Sequence, residues 1–449
     1  MKTGKSILIA TAMLANAASM CAQLTWASKD IHYASDYALP NQLTTDTLIH
    51  AWRGERVGAV ALIHIPQGQT AVCSAKISGQ LPASASFVDY VLTDDFRNCG
   101  IHPDTLPAWR VPDIIDTQAG SVHLSGETRP VWVTVEVPRD AKPGKYKETL
   151  SVDGQQISLN ISVSEMTLPK PSQQAFHLNL WQQPYSVARY GKVEPWSKEH
   201  FNLLKPYAQY LARAGQSTVS AILFYEPWGE QSNDLFLPMI ETTKKADGSW
   251  SYDYRIFDRW VQFMADNGID GIIECFTMIP WEMNFRYFDE SAGEYRFLKT
   301  TTDTPEYRDL WLNFLKAFAS HLKEKGWFER TMISMDERNL SDMLNAYAII
   351  QEAEPRFKVS LAGNYHPELI RQTLQLYHPA YRSISPRHCR ATPRKRISNK
   401  SLYLLLAPRA QPLLQQCIGR CRVDSGLLHL DRPRRISPLE LHELDRQSS

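Results

Sequence analysis

The sequence is short of net charge, of metal-ligand spacing and of long apolar runs, and each shortage narrows the function. Forty-nine basic residues almost balance forty-eight acidic ones, giving +1 over 449 residues. No global field therefore recruits nucleic acid or an acidic membrane. There is no HExxH, no CxxC and no His/Cys cluster at ligand spacing, which argues against a zinc site or any other resident metal or cofactor. Cysteine is sparse in the main body, where Cys73, Cys99 and Cys275 are an odd set. A Cys73–Cys99 bridge is compatible with export, where disulfides persist. Beyond the first twenty or so residues, no stretch is apolar enough to span a membrane, so no integral span is expected.

What is present begins at the N-terminus. Met1-Lys2-Thr3-Gly4-Lys5 is a short basic segment, Ser6 to Ala18 is apolar and built of small residues, and a cleavage point follows at Ala22. That is the layout of a secretory signal peptide over 1–22, too short for a spanning helix. The mature protein is expected in the periplasm or at the cell surface. A lipidated Cys21 is the minority alternative, since Met20 is a poor neighbour for it.

From 23 to 170 the pattern is short β-runs separated by turn residues. Val57–Ile65, Pro130–Val137, Tyr146–Val152 and Ile157–Val163 read as strands, the last two joined by an Asp153-Gly154 hairpin signal. A β-sandwich serving as support or as a sugar-binding module is expected. Leu168-Pro169-Lys170-Pro171 is a stiff junction, and after it the grammar changes. Strands are expected at Phe176–Trp181, Thr218–Phe224, Asp270–Phe276, Thr331–Met335 and Lys358–Ala362. Helices are expected at His200–Ala214, Phe257–Asn267, Pro305–Lys325 and Ser341–Glu352. This alternation predicts a parallel sheet with helical crossovers, and five units make an incomplete (β/α)8 TIM-type barrel over 171–370. A doubly wound open sheet is the rival, weakened because no GxGxxG follows the first strand.

In such a barrel the chemistry sits just after the strands. Those positions hold Trp181-Gln182-Gln183-Pro184, Tyr225-Glu226-Pro227-Trp228, Trp281-Glu282, Asp336-Glu337-Arg338 and Asn364-Tyr365-His366. Twelve Trp and nineteen Tyr are ordinary core material first, but ring faces with amides and carboxylates at a rim suit a sugar. Consecutive carboxylates cannot face each other across a glycosidic bond at the roughly 5–9 Å of a two-carboxylate glycosidase. They can divide the labour differently, one orienting a 2-acetamido group that attacks the anomeric carbon and the other acting as acid/base. The competing reading is plain: Asp-Glu pairs are common, Asp289-Glu290 is another, and Asp336 could merely cap the next helix.

Residues from about Trp26 to Tyr365 resemble glycoside hydrolase family 123, exported β-N-acetylgalactosaminidases. The segments that carry the resemblance are Arg129–Lys147, Met278–Glu290, Arg330–Leu340 (RTMISMDERNL) and Lys358–Pro367. The resemblance implies a β-sandwich before a (β/α)8 barrel and retaining hydrolysis with acetamido participation. It places Asp336 in the acetamido-stabilising role and Glu337 in the acid/base role. Trp181, Trp281, Asn364 and Tyr365 are substrate-binding candidates by strand-end position alone. The expected partner is a glycan or glycolipid carrying β-linked N-acetylgalactosamine, with a non-catalytic glycan-capture protein on the same scaffold as the alternative.

The pattern stops after about residue 370. No Trp or Phe follows Phe357, and Arg, Ser, Leu and three Cys crowd in. A basic disordered tail is the bland reading of 371–449. An out-of-frame tail is the sharper one. Codons for Gln375–His388 can conceal NYIIPHTDQYLPDI one nucleotide along, and those for Arg435–Arg446 can conceal GYLRWSYMNWT, an aromatic strand of the kind this family has near its C-terminal end. A chain missing three barrel units is expected to fold poorly and turn over little.

Overall fold

The structure is a computed structural model that describes residues 22–93, 109–174, 178–229, 234–363, 366, 368–369 and 377–379. The expected signal peptide, Cys99 and almost all of the segment after 370 lie outside the described residues. The chain divides into two compact units that part in sequence between Leu168 and Pro169.

The first unit is mostly β-strand. In chain order its strands are β1 (Gln23–Ala27), β2 (Asp46–Arg53), β3 (Arg56–His64), β4 (Thr70–Cys73), β5 (Ala75–Gly79) and β6 (Ala83–Thr93). They are followed by β7 (Trp109–Ile115), β8 (Val122–Ser125), β9 (Thr128–Glu136), β10 (Gly144–Val152) and β11 (Gln155–Thr167). One sheet runs β1-β3-β9-β6-β7 and a second β2-β11-β10-β5. Period-2 patterning explains the packing: Ile157, Leu159, Ile161 and Val163 of β11 are buried, while the residues between them are less so. They share one apolar cluster with Ala59, Ala61 and Ile63 of β3 and Val131, Val133 and Val135 of β9. The β10–β11 turn puts Asp153 at φ 49 and Gly154 at φ 76, the left-handed pair that a two-residue hairpin demands. Cys73 is buried.

The second unit begins with α1 (Pro184–Gly191), α2 (Lys198–Ala214), β12 (Thr218–Ile222), β13 (Glu241–Lys244), β14 (Trp250–Asp253) and α3 (Arg255–Asp266). It continues with β15 (Ile272–Phe276), β16 (Asn284–Asp289), β17 (Glu294–Lys299), α4 (Pro305–Glu324), β18 (Thr331–Met335), α5 (Leu340–Ala353), β19 (Lys358–Gly363) and β20 (Tyr377–Pro379). Strands β12-β15-β18-β19-β20 form one sheet in that order, every pair parallel. Their order never reverses, so the winding runs in one direction, unlike a doubly wound sheet. Among the described residues the sheet is open and does not close into a barrel. Helices α3 and α4 drive Phe257, Trp260, Trp311, Phe314 and Phe318 into a single core against the sheet. Each such ring contributes roughly 2–3 kcal/mol on burial.

Two expectations need correction. Of the strand expected at Phe176–Trp181, residues 176–177 lie outside the described residues, Leu178 makes one parallel bridge to Gln216 and 179–181 are irregular. The Gln216 side chain takes over the ladder's work: its Oε1 accepts from Leu180 N at 2.8 Å and its Nε2 donates to Leu180 O at 3.2 Å. The inserted segments also fold into a sheet of their own, ordered β14-β13-β16-β17, which the periodicity did not announce.

Candidate active site

Because β12, β15, β18 and β19 are parallel and paired in sequence order, their C-terminal ends lie along one edge, and whatever follows each strand is gathered there. A cavity of about 670 Å³ opens along that edge, within the range of small-molecule sites. Asn179, Trp181 and Gln182 line it ahead of α1, Glu226 and Trp228 after β12, and Trp281 after β15. Asp336 and Glu337 line it after β18, and Ser360 on β19. A second groove of about 640 Å³ lies along α2 and α3. Its Asp258 is taken up by His321 and Lys325 at 2.7 Å each, so it offers no free carboxylate pair.

All five residues of β18 are buried, and the chain leaves the core directly at Asp336, itself 7% exposed. Burial raises the Asp336 pKa above the usual carboxylate range. The backbone N–H of Glu337, the indole N–H groups of Trp281 and Trp228 and the Arg338 charge oppose that rise. Glu337 N donates to Asp336 Oδ1 at 2.8 Å. Trp228 Nε1 is buried without a close hydrogen bond. Helix capping is not the task of Asp336. Asn339 caps α5, its side chain accepting from Asp342 N at 2.9 Å.

Glu337 is exposed at the cavity wall. The backbone beneath it passes so close to β19 that a Cβ on Gly363 would sit 3.0 Å from Glu337 Cα and 3.3 Å from Asp336 O. Glycine is needed there for close approach. The Arg338 guanidinium lies 5.2 Å over the Trp281 ring, a cation–π contact that fixes the indole beside the carboxylates. Across the cavity Trp181 stacks on Trp228 at 5.1 Å and 17° and meets Phe276 edge-on at 4.8 Å. Trp181 and Trp281 remain 43% and 40% exposed, leaving area for a ligand.

Two more carboxylates shape the cavity. Glu226 holds a left-handed backbone at φ 45, a conformation uncommon for a residue with a Cβ. Its own N–H donates to Phe236 O at 2.9 Å, and its carboxylate accepts from Phe236 N. Glu274 lies inside β15, 3% exposed. Asn179 Nδ2 donates to it at 2.6 Å and the Ser360 hydroxyl also reaches it. Burial pushes its pKa up to about 7 against those two hydrogen bonds.

The structure thus brings Asp336, Glu337, Trp181 and Trp281 to one cavity. Asn364 and Tyr365 lie outside the described residues. Glu226 and Trp228, at a strand end but outside the sequence candidates, also line the cavity, as do Asn179 and Glu274, which sit at no strand end. A signal for Glu274 was available: a lone acid in the apolar run Ile272-Ile273-Glu274-Cys275-Phe276 must find partners when buried.

The family description "Glycoside hydrolase 123, catalytic domain" matches residues 181–411, more than half of the chain. "Glycoside hydrolase 123 N-terminal domain" matches residues 26–154. No curated protein matches. Among solved structures, a family 123 glycoside hydrolase from Clostridium perfringens, studied for glycolipid glycan hydrolysis, is similar with TM-score 0.74 and 24% identity. The match covers 82% of this chain and 68% of that one. A putative α-galactosidase from Bacteroides fragilis (12% identity, 75% and 54% covered, TM-score 0.21) is too distant in shape to carry an argument. The same holds for a GH10 xylanase from termite gut (11% identity, 51% and 52% covered, TM-score 0.22).

Proposed function

We propose, from the premise that the chain belongs to glycoside hydrolase family 123, that its cavity removes terminal β-linked N-acetylgalactosamine from glycans with retention of configuration. One observation carries the reading. A buried carboxyl and an exposed one stand next to each other at a strand end, walled by indoles, and neither caps a helix.

In the proposed route the 2-acetamido carbonyl oxygen of the substrate attacks the anomeric carbon while the glycosidic C–O bond breaks. Glu337 gives its proton to the leaving oxygen. The Asp336 carboxylate accepts the acetamido N–H and offsets the positive charge of the resulting oxazolinium. An arriving N–H favours ionised Asp336, offsetting the burial that raises its pKa. Water then adds at the anomeric carbon, passing its proton to Glu337, and the ring opens to the β-sugar. Trp181 and Trp281 offer ring faces to the pyranose.

The finer scaffold follows the same premise. The singly wound parallel sheet supports an incomplete (β/α)8 barrel, and the basic-then-apolar N-terminus supports export. We take the segment from about 371 as out of frame, which makes the Tyr377–Pro379 pairing with β19 and the last part of the family match, to 411, a non-native continuation; the chain as written keeps the cavity but turns over little. The C. perfringens relative's link to glycolipid glycans supports a glycan as substrate. The test is the anomer first released from a β-N-acetylgalactosaminide by the frame-restored chain, followed by proton NMR. The β-anomer is expected. A first-formed α-anomer refutes acetamido participation, and binding without release makes the protein a glycan-capture module.

A further inference from the structure

The β16–β17 hairpin breaks the alternation that its position calls for. Register pairs Arg286 with Phe297 and Phe288 with Tyr295, and such cross-strand pairs share a face. On the opposite face Phe285 is fully buried against Phe224, Tyr307 and Trp311 and its partner Leu298 packs on the same core, while Arg296 and Glu294 further along β17 are exposed. A sheet with one face on the core leaves the other to water and polar residues. Here that other face presents Phe297 at 50% and Tyr295 at 51% exposure, with Phe288 beside them. Contiguous exposed rings mark a binding surface.

The rings are held rather than loose. Arg286 lies 4.5 Å over Tyr295 and 5.4 Å over Tyr225. Phe297 meets Tyr225 edge-on at 5.8 Å, and Phe288 meets Tyr295 at 5.4 Å. Tyr295 also hydrogen-bonds Glu241, which Arg286 faces at 3.6 Å. The face adjoins the cavity wall through the chain. Tyr225 directly precedes cavity-lining Glu226, Trp281 N donates to Pro227 O at 3.0 Å, and the hairpin starts three residues after Trp281.

We propose that this face is a second carbohydrate subsite, taking the sugars that follow the terminal one in the glycan. It rests on the reading of the cavity as the terminal-sugar site. A pyranose has a flat C–H face for Phe297 and Tyr295 and hydroxyls at its rim for Arg286 and Glu241. A lipid tail would desolvate the Arg286–Glu241 pair and offer it no hydrogen bond in return.

The test compares binding of two non-hydrolysable probes to the frame-restored chain by calorimetry: methyl thio-β-N-acetylgalactosaminide and a thio-linked tetrasaccharide ending in the same sugar. The tetrasaccharide is expected to bind roughly tenfold tighter. Phe297→Ala and Tyr295→Ala, both at exposed positions, are expected to remove most of that advantage and leave the monosaccharide affinity unchanged. Equal affinity for both probes, or an advantage untouched by either variant, overturns the subsite while sparing the cavity. Retention on phosphatidylcholine vesicles that the variants abolish overturns it in favour of a membrane contact. A chain that binds neither probe overturns this inference and the proposed function together.

Discussion

Glu274→Gln tests whether the cavity floor holds a strained acid. Glu274 is almost wholly buried on β15, and its pKa moves from 4.5 to about 7. At about 1.4 kcal/mol per unit, that is a difference of about 3 kcal/mol between its charged and neutral forms. The folded state holds the proton more tightly than the unfolded chain. Between about pH 4.5 and pH 7 the folded state therefore binds more protons, and stability falls as pH rises through that window, then levels off. Glutamine is nearly isosteric, can accept from Asn179 Nδ2 and can donate to Ser360, and never ionises. The variant should match the parent near pH 4 and exceed it by about 3 kcal/mol at pH 8. Urea unfolding followed by tryptophan fluorescence at both pH values measures this, and subtracting the parent's own profile removes other titrating groups such as Asp336. A stability difference that does not vary with pH, or a variant weaker than its parent at pH 8, refutes the reasoning.

Other outcomes follow from the same geometry. Asp336→Asn in the frame-restored chain should lower kcat on N-acetylgalactosaminides by about 10²- to 10⁴-fold, with a smaller effect on binding of the product sugar measured by calorimetry. Gly363→Ala would set a Cβ 3.0 Å from Glu337 Cα, so kcat should fall at least tenfold, with a destabilisation of about 1–3 kcal/mol in urea unfolding. Asn339→Ala removes the α5 cap and should cost about 1 kcal/mol of stability in the same measurement. Sequencing the coding DNA across codons 365–449 should show Trp codons one nucleotide out of frame, and a stop codon in that frame would end the frameshift account.

Much of the second unit was legible because its strands are buried on both faces and its helices are amphipathic. Strand β18 has the bounds its pattern predicts, Thr331–Met335, and the predicted helix Pro305–Lys325 ends one residue earlier, at Glu324. At 178–181 apolar content does not become a strand, because the Gln216 amide satisfies Leu180 instead. The β13, β14, β16 and β17 sheet was illegible for a different reason: its aromatics fall on both faces of the hairpin, so no clean period-2 signal arises. At the site, strand-end logic found residues that leave a strand, such as Asp336, but not Glu274, whose side chain turns inward from within one. Sequence also could not choose between capping and catalysis for Asp336, since the cap residue Asn339 is identified only by its bond to Asp342 N.

The central claim is that Asp336 and Glu337 are the reacting carboxylates of a glycoside hydrolase. Its most direct measurement is the release of N-acetylgalactosamine from a β-linked glycan by the frame-restored chain and by its Glu337→Gln variant, with circular dichroism confirming equal folding. The account predicts a loss of at least about 10²-fold in kcat. Turnover by the variant within a few-fold of its parent would contradict it.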